Sequence, residues 1–149
     1  MSVDRGYVDD NSKERARLKA LVERSSDADL ARPMPAGWTV ASVLGHLAFW
    51  DQRILVLLDA WERTEAPAFH NRDEDVDWIN DAGKPFLLAL PPRQAAELAV
   101  SIAEAVDRKV ETLSDDFVAR IAAAGNPLNL RRAEHRREHL DDIEAVLRR

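Results

Sequence analysis

The chain has 149 residues, 46% hydrophobic and 32% charged, with no cysteine. Its length suits one domain over 1–149 that buries a core without staples, and the missing cysteine excludes disulfides, thiolate-held zinc, iron–sulfur clusters and a protein thiol nucleophile. Lys plus Arg number 21 against 27 for Asp plus Glu, a formal net charge of −6, which argues against a nucleic-acid partner.

No run approaches the roughly 20 apolar residues that would span a bilayer. The opening MSVDRGYVDDNSKER lacks the apolar core of a secretory signal. A cytoplasmic protein with no membrane partner is expected. Only 5 glycines stand among abundant Ala, Leu, Glu and Arg, the residues that lose least on entering a helix.

In chain order, Leu18, Leu21 and Val22 recur at helical spacing between Asn11 and Arg24, with Asn11 or Ser12 as the cap. A polar stretch with two prolines, Pro33 and Pro35, ends that element. In GWTVASVLGHLAFWD, Gly37 to Asp51, Thr39 reads as an N-cap, with Trp38 and Val43 at the two places of a hydrophobic staple. The stripe Val43, Leu47, Trp50, Ile54, Leu57 and Trp61 carries this second helix to about Arg63. Residues Thr64 to Asp77 read as polar loop, and Asp75 could cap a short helix through Trp78 and Ile79 that Gly83 and Pro85 stop. A third long helix starts near Pro92 and carries Ala99, Ile102, Val106, Val110 and Leu113. Gly125, Asn126 and Pro127 break the chain before a last helix from about Leu130 to the C-terminus. The expected fold is all-α: a mainly antiparallel four-helix bundle with one long crossover carrying a short extra helix.

The histidines are His46, His70, His135 and His139. His46 lies about 20° from Leu57 and about 40° from Trp50 around its helix, so it points with the apolar stripe. His135 and His139 sit one turn apart on one face, which Ile143 and Val146 continue. Three neutral imidazoles facing a core each need partners for a donor and an acceptor. One divalent metal would satisfy all three, since an i, i+4 pair can meet a single ion. Taken singly, an HxxxH pair on a charged helix is more often solvated, and a lone inward histidine is more often a hydrogen-bonded core residue. His70, beside Asn71 and Arg72, reads as a surface histidine outside the site. No phosphate loop or nucleophile elbow occurs, and the mixed charges of the last helix read as a solvated face.

The segments GWTVASVLGHLAFWD and AEHRREHLDDIEAVL resemble the DinB-like (YfiT-like) superfamily of bacterial four-helix-bundle metalloproteins, which includes the N-terminal domain of mycothiol-dependent maleylpyruvate isomerase. In that superfamily a histidine on the second helix and an HxxxH pair on the fourth bind one divalent metal. The resemblance thus implies His46, His135 and His139 as metal ligands. Some mycothiol-using members carry a carboxylate where this chain has His135. Association into a homodimer is also implied.

Three imidazoles leave coordination positions open, the pattern of catalytic zinc. The expected function is a metal-dependent enzyme, zinc or nickel being the first candidates. It would activate water, as a hydrolase, or a low-molecular-weight thiol, as a transferase or isomerase, on a small-molecule substrate. The alternatives are a non-catalytic stress or resistance protein that binds a small molecule in the cleft, and a bundle with structural metal or none. Asp51, Glu138 and Asp142 could orient the imidazoles, though Asp51 lies about 140° from His46 and is not expected to be catalytic. Arg53, about 20° from His46 and two turns along, could clamp an acidic substrate group or be a surface arginine.

Overall fold

Each apolar stripe becomes the inner face of a helix. The computed structural model describes residues 3–64, 67 and 69–149, so Met1, Ser2 and positions 65, 66 and 68 of the expected 64–77 loop lie outside the described residues. The helices are α1 (Tyr7–Arg24), α2 (Asp27–Leu30), α3 (Val40–Arg63), α4 (Val76–Ala89), α5 (Pro92–Thr112), α6 (Asp115–Ala123) and α7 (Ala133–Leu147), with 3-10 turns at Pro35–Gly37 and Asp73–Asp75. Among the described residues there is no strand, only an isolated bridge between Pro33 and Thr39.

Helices α1, α3, α5 and α7 form the bundle, as expected. Cross-helix contacts give their directions. Asn11 meets Ala133 while Arg17 meets Asp141 and Glu144, so α1 and α7 run the same way. Gly45 packs on Ala95 and Lys109 reaches Glu62, so α3 and α5 also run together. His46 meets His135 while Asp51 meets Arg132, so α3 opposes α7. The connection from α3 to α5 must therefore cross the length of the bundle, and it carries α4.

Thr39 caps α3 as its sequence predicts. Its hydroxyl accepts from the Ser42 N–H at 3.1 Å, and the Ser42 hydroxyl accepts from the Thr39 N–H at 2.8 Å. Such a cap is worth about 1 kcal/mol. Four expectations need correction. Asn11 and Ser12 are not caps, because α1 begins at Tyr7 and Asn11 lies buried inside it. Gly83 and Pro85 do not stop α4, which runs on to Ala89 with Pro85 inside; contacts from its far end to α3, Leu87 and Leu90 beside Gly45, outweigh the lost hydrogen bond. Between Leu113 and Gly125 an additional helix, α6, is capped by Ser114 and buries Phe117, Val118 and Ile121. The last helix starts at Ala133, not Leu130.

The core forms two apolar clusters with a polar layer between them. Leu18, Leu21, Leu44, Leu47, Ala95, Ala99, Leu140 and Ile143 build one; Ile54, Leu58, Trp61, Val106, Val110, Phe117 and Ile121 belong to the other. Leu58 is fully buried, whereas the expected Leu57 is only partly so. Buried alanines on α5 let it approach α3 closely. Helix α3 is, among the described residues, the one helix long and apolar enough on average to cross a membrane, against the expectation of none; 67% of that window is buried inside the bundle, which makes it a core helix.

Candidate metal centre

The face of α3 defined by its apolar stripe delivers His46, 8% exposed, into a cleft, and α7 delivers His135 and His139 from the opposite side. Their rings stand edge-on with centroids 4.8–5.0 Å apart. The Nε2 atom of His135 lies 3.1 Å from that of His46 and 3.2 Å from that of His139.

Hydrogen bonding alone serves this trio poorly. A neutral imidazole nitrogen either donates one proton or offers one lone pair, so His135 Nε2 cannot bind both neighbours well. Nitrogens held at 2.0–2.1 Å from one ion at tetrahedral or octahedral angles lie about 2.9–3.4 Å apart, which brackets both distances. The donor set therefore fits a divalent ion, and one ligand atom from each histidine falls within 4.8 Å of the others.

Burial keeps these imidazoles neutral. Desolvation, with some repulsion from His139, pulls His46 down to about 4. Desolvation and then the neighbouring histidines, Arg132 and Arg136 take His135 lower still, to about 2. His139 is also lowered by burial, though Glu138 and Asp142 partly oppose this. In the unfolded chain all three take up protons near the ordinary value of about 6.5. The unfolded state then binds more protons than the folded one, so stability falls as pH falls. The metal-free protein is expected to lose stability progressively from pH 6.5 toward pH 4, and urea melts in chelator across that range check this.

Beneath the histidines lies the polar layer. Asp51 accepts from Arg132 Nε at 2.8 Å and from Arg136 Nη2 at 3.1 Å. Arg136, 0% exposed, also grips Asp107 with two bonds of 2.9 Å, and Arg15 reaches Asp107 at 2.7 Å. Asn11 donates to the Leu130 carbonyl and accepts from the Ala133 N–H, both at 2.9 Å. Asp51 thus anchors the start of α7 and does not orient an imidazole; its oxygens are taken by arginines. Glu138 and Asp142 line the cleft beside His139.

Reading α7 as a solvated face missed Arg132, Arg136 and their partners. The signal was periodicity: Leu44, Leu47, Asp51, Ile54 and Leu58 are spaced 3, 4, 3, 4, as are Arg136, Leu140 and Ile143 at 4, 3. Charged residues stand at core positions of both stripes.

Arg53 does not line the cleft. Its Nε donates to Asn71 Oδ1 at 2.6 Å, its Nη2 meets His70 Nδ1 at 2.7 Å, and its guanidinium sits 5.2 Å from the Trp50 ring centre. The structure does not put Arg53 where it could clamp a substrate in the cleft, and it is half-buried, not a free surface arginine. His70 lies outside the histidine trio, as expected, but its Nε2 is held 2.7 Å from the Asn126 carbonyl oxygen, so it ties the crossover to the segment before α7.

The cleft has a volume of about 670 Å³, within the range of small-molecule sites. A family model for the mycothiol maleylpyruvate isomerase N-terminal domain matches residues 12–144. Comparison with curated proteins and with solved structures gives no match. The matched span takes in all three histidines, the whole of α3 and α5 and most of α1 and α7, so the chain belongs to the mycothiol maleylpyruvate isomerase N-terminal domain family, within the DinB-like superfamily.

Proposed function

We propose that His46, His135 and His139 hold one divalent first-row ion, zinc or nickel, and that the protein is a metal-dependent enzyme acting with a low-molecular-weight thiol, of which mycothiol is the one the family name indicates. The observation that carries this is the convergence of three imidazole nitrogens, 3.1 and 3.2 Å apart, on a cleft of about 670 Å³. A bound divalent ion supplies a Lewis acid that holds a thiol as thiolate, or water as hydroxide, near neutral pH. The chain's own contribution is to keep the imidazoles unprotonated by burial and to present them from two rigid helices. The apolar flank formed by Met34, Trp38, Val43 and Trp50 can exclude bulk water from a reacting group.

Metal content of protein purified without a histidine tag, followed by mycothiol titration of the loaded form, tests the reading. One ion per chain and saturable thiol binding are expected; a chain that takes up no ion ends it. Proton competition should set in below the free histidine value, because burial lowers each ligand's affinity for protons. His70→Ala is expected to retain full metal stoichiometry, since its ring lies outside the trio and contacts Arg53 and Asn126. Elemental analysis of that variant checks this directly.

A further inference from the structure

The three histidines divide the cleft along its length. Because α3 and α7 run in opposite directions, Val43 and Asp142 lie toward one end and Trp50 and Arg132 toward the other. Asn80, bonded to Trp50, and Asn129, just before α7, belong to the second end. This end is rich in donors whose acceptor halves are already taken. Asn80 Oδ1 accepts from the Trp50 indole at 2.8 Å, and Asn129 Oδ1 accepts from the Arg131 N–H at 2.9 Å. Each carboxamide is thereby fixed with its NH2 as the unused end. The Arg132 side chain, 6% exposed, gives Nε to Asp51 and Nη1 to the Asn129 carbonyl. Among the described residues, Arg132 Nη2 and the two Nδ2 groups have no hydrogen-bond partner, and none of them is sealed in the core.

The charge around this end is positive where water is scarce. Arg132 and Arg136 are buried and Arg15 and Arg53 half-buried, and the buried carboxylates among them are Asp51 and Asp107. Arg53 bonds to Asn71 and His70 and has no carboxylate partner among the described residues; burial, and then repulsion from Arg132, lowers its pKa. The N-terminus of α7, at Arg132 and Ala133, adds the positive end of a helix dipole. A divalent ion on the neighbouring histidines would add its own charge with the same sign. Glu134, Glu138 and Asp142 oppose all of these, but they are exposed along α7, where water and salt screen them more than the buried cations.

We propose that this end of the cleft is a carboxylate subsite, in which Arg132 Nη2, Asn80 Nδ2 and Asn129 Nδ2 hold the acid group of a small molecule whose other end reaches the three histidines. The role of that other end rests on the metal and thiol reading above; the grip on the carboxylate does not. Carboxylate oxygens accept several N–H donors at once, and such charge-assisted bonds are about twice as strong as neutral ones. A carboxamide of the same size offers one oxygen and no charge, so the acid is expected to bind about tenfold more tightly. By occupying Asn80 Oδ1, the Trp50 indole keeps Asn80 a donor and so helps to set the preference.

Propionate and propionamide, which differ in charge and hardly in shape, make the test. Each is titrated into isotopically labelled protein, with and without added zinc, and followed by the side-chain NH2 signals of Asn80 and Asn129. Propionate should shift these signals saturably, and propionamide should bind about tenfold more weakly. Asn80→Asp keeps an acceptor for the Trp50 indole but replaces the donor, and it stands outside the buried polar layer. Read at Asn129, it should remove about tenfold of the preference for the acid at low and high salt alike, whereas a purely long-range repulsion fades as salt is raised. Arg132→Gln, which can still donate to Asp51, should act the same way. In cobalt(II)-loaded protein, 3-mercaptopropionate should outbind its amide by a similar factor, followed by thiolate-to-metal absorption. Propionate that leaves both amide signals unmoved, or a preference indifferent to both variants, overturns the subsite whatever the cobalt experiment shows. If the propionate results hold but neither thiol gives an absorption band, the thiol reading fails and the carboxylate subsite stands.

Discussion

His139→Ala is expected to abolish stoichiometric metal binding and leave the bundle folded. His139 supplies one of three nitrogens that meet within 4.8 Å, and the substitution removes both that ligand and its chelation with His135 one turn away. The loss should exceed the roughly 10–100-fold in metal affinity that outer-sphere partners typically contribute. Folding should survive because Leu140, Ile143 and Val146, which seat α7 in the core, are untouched. A desolvated imidazole is also removed, so the metal-free variant should melt close to its parent. Equilibrium dialysis with elemental analysis reads the first effect and circular dichroism the second. Full stoichiometry and affinity in His139→Ala, together with their loss in His70→Ala, would put the metal elsewhere and end the three-histidine reading.

Asp107→Ala is the substitution expected to damage the fold most. The Asp107 side chain is 1% exposed and takes two bonds from Arg136 and one from Arg15. Removing it leaves the Arg136 guanidinium buried with Asp51 as its remaining carboxylate. Breaking one side of a buried pair typically costs about 3–5 kcal/mol, which for a domain of this size is about 10 °C or more in Tm. Asp115→Ala is the matching surface control. That carboxylate is 59% exposed and pairs with Arg5 at 2.8 Å, so its loss should cost at most about 1 kcal/mol. Arg136 directly follows His135, so Asp107→Ala should weaken metal binding as well, by loosening α7 against α5, which carries Asp107. Equal melting temperatures for the two variants would show that the polar layer does not hold the bundle together.

Four bundle helices and three inward histidines were legible in the amino-acid sequence because both follow from a single local property, the 3.6-residue period. His46 shares a face with the α3 stripe, and His135 and His139 share one with Ile143 and Val146, whichever helices pack opposite. The Thr39 cap is equally local, its partner being Ser42, three residues away. What the period could not settle was the meaning of a charge at a core position. Asp51, Asp107 and Arg136 look like solvated residues until α3, α5 and α7 bring both carboxylates within 3.1 Å of the Arg136 guanidinium. The cost of burying each is offset only by partners 29 to 85 residues away, which no local pattern contains. The run of α4 through Pro85 was decided the same way, by Leu87 and Leu90 packing beside Gly45 on another helix. Arg53 completes the series. Helical geometry set it two turns from His46, but the crossover brought His70 and Asn71 to its guanidinium and took it out of the cleft, because hydrogen bonds to a half-buried charge are formed with whatever the tertiary fold delivers.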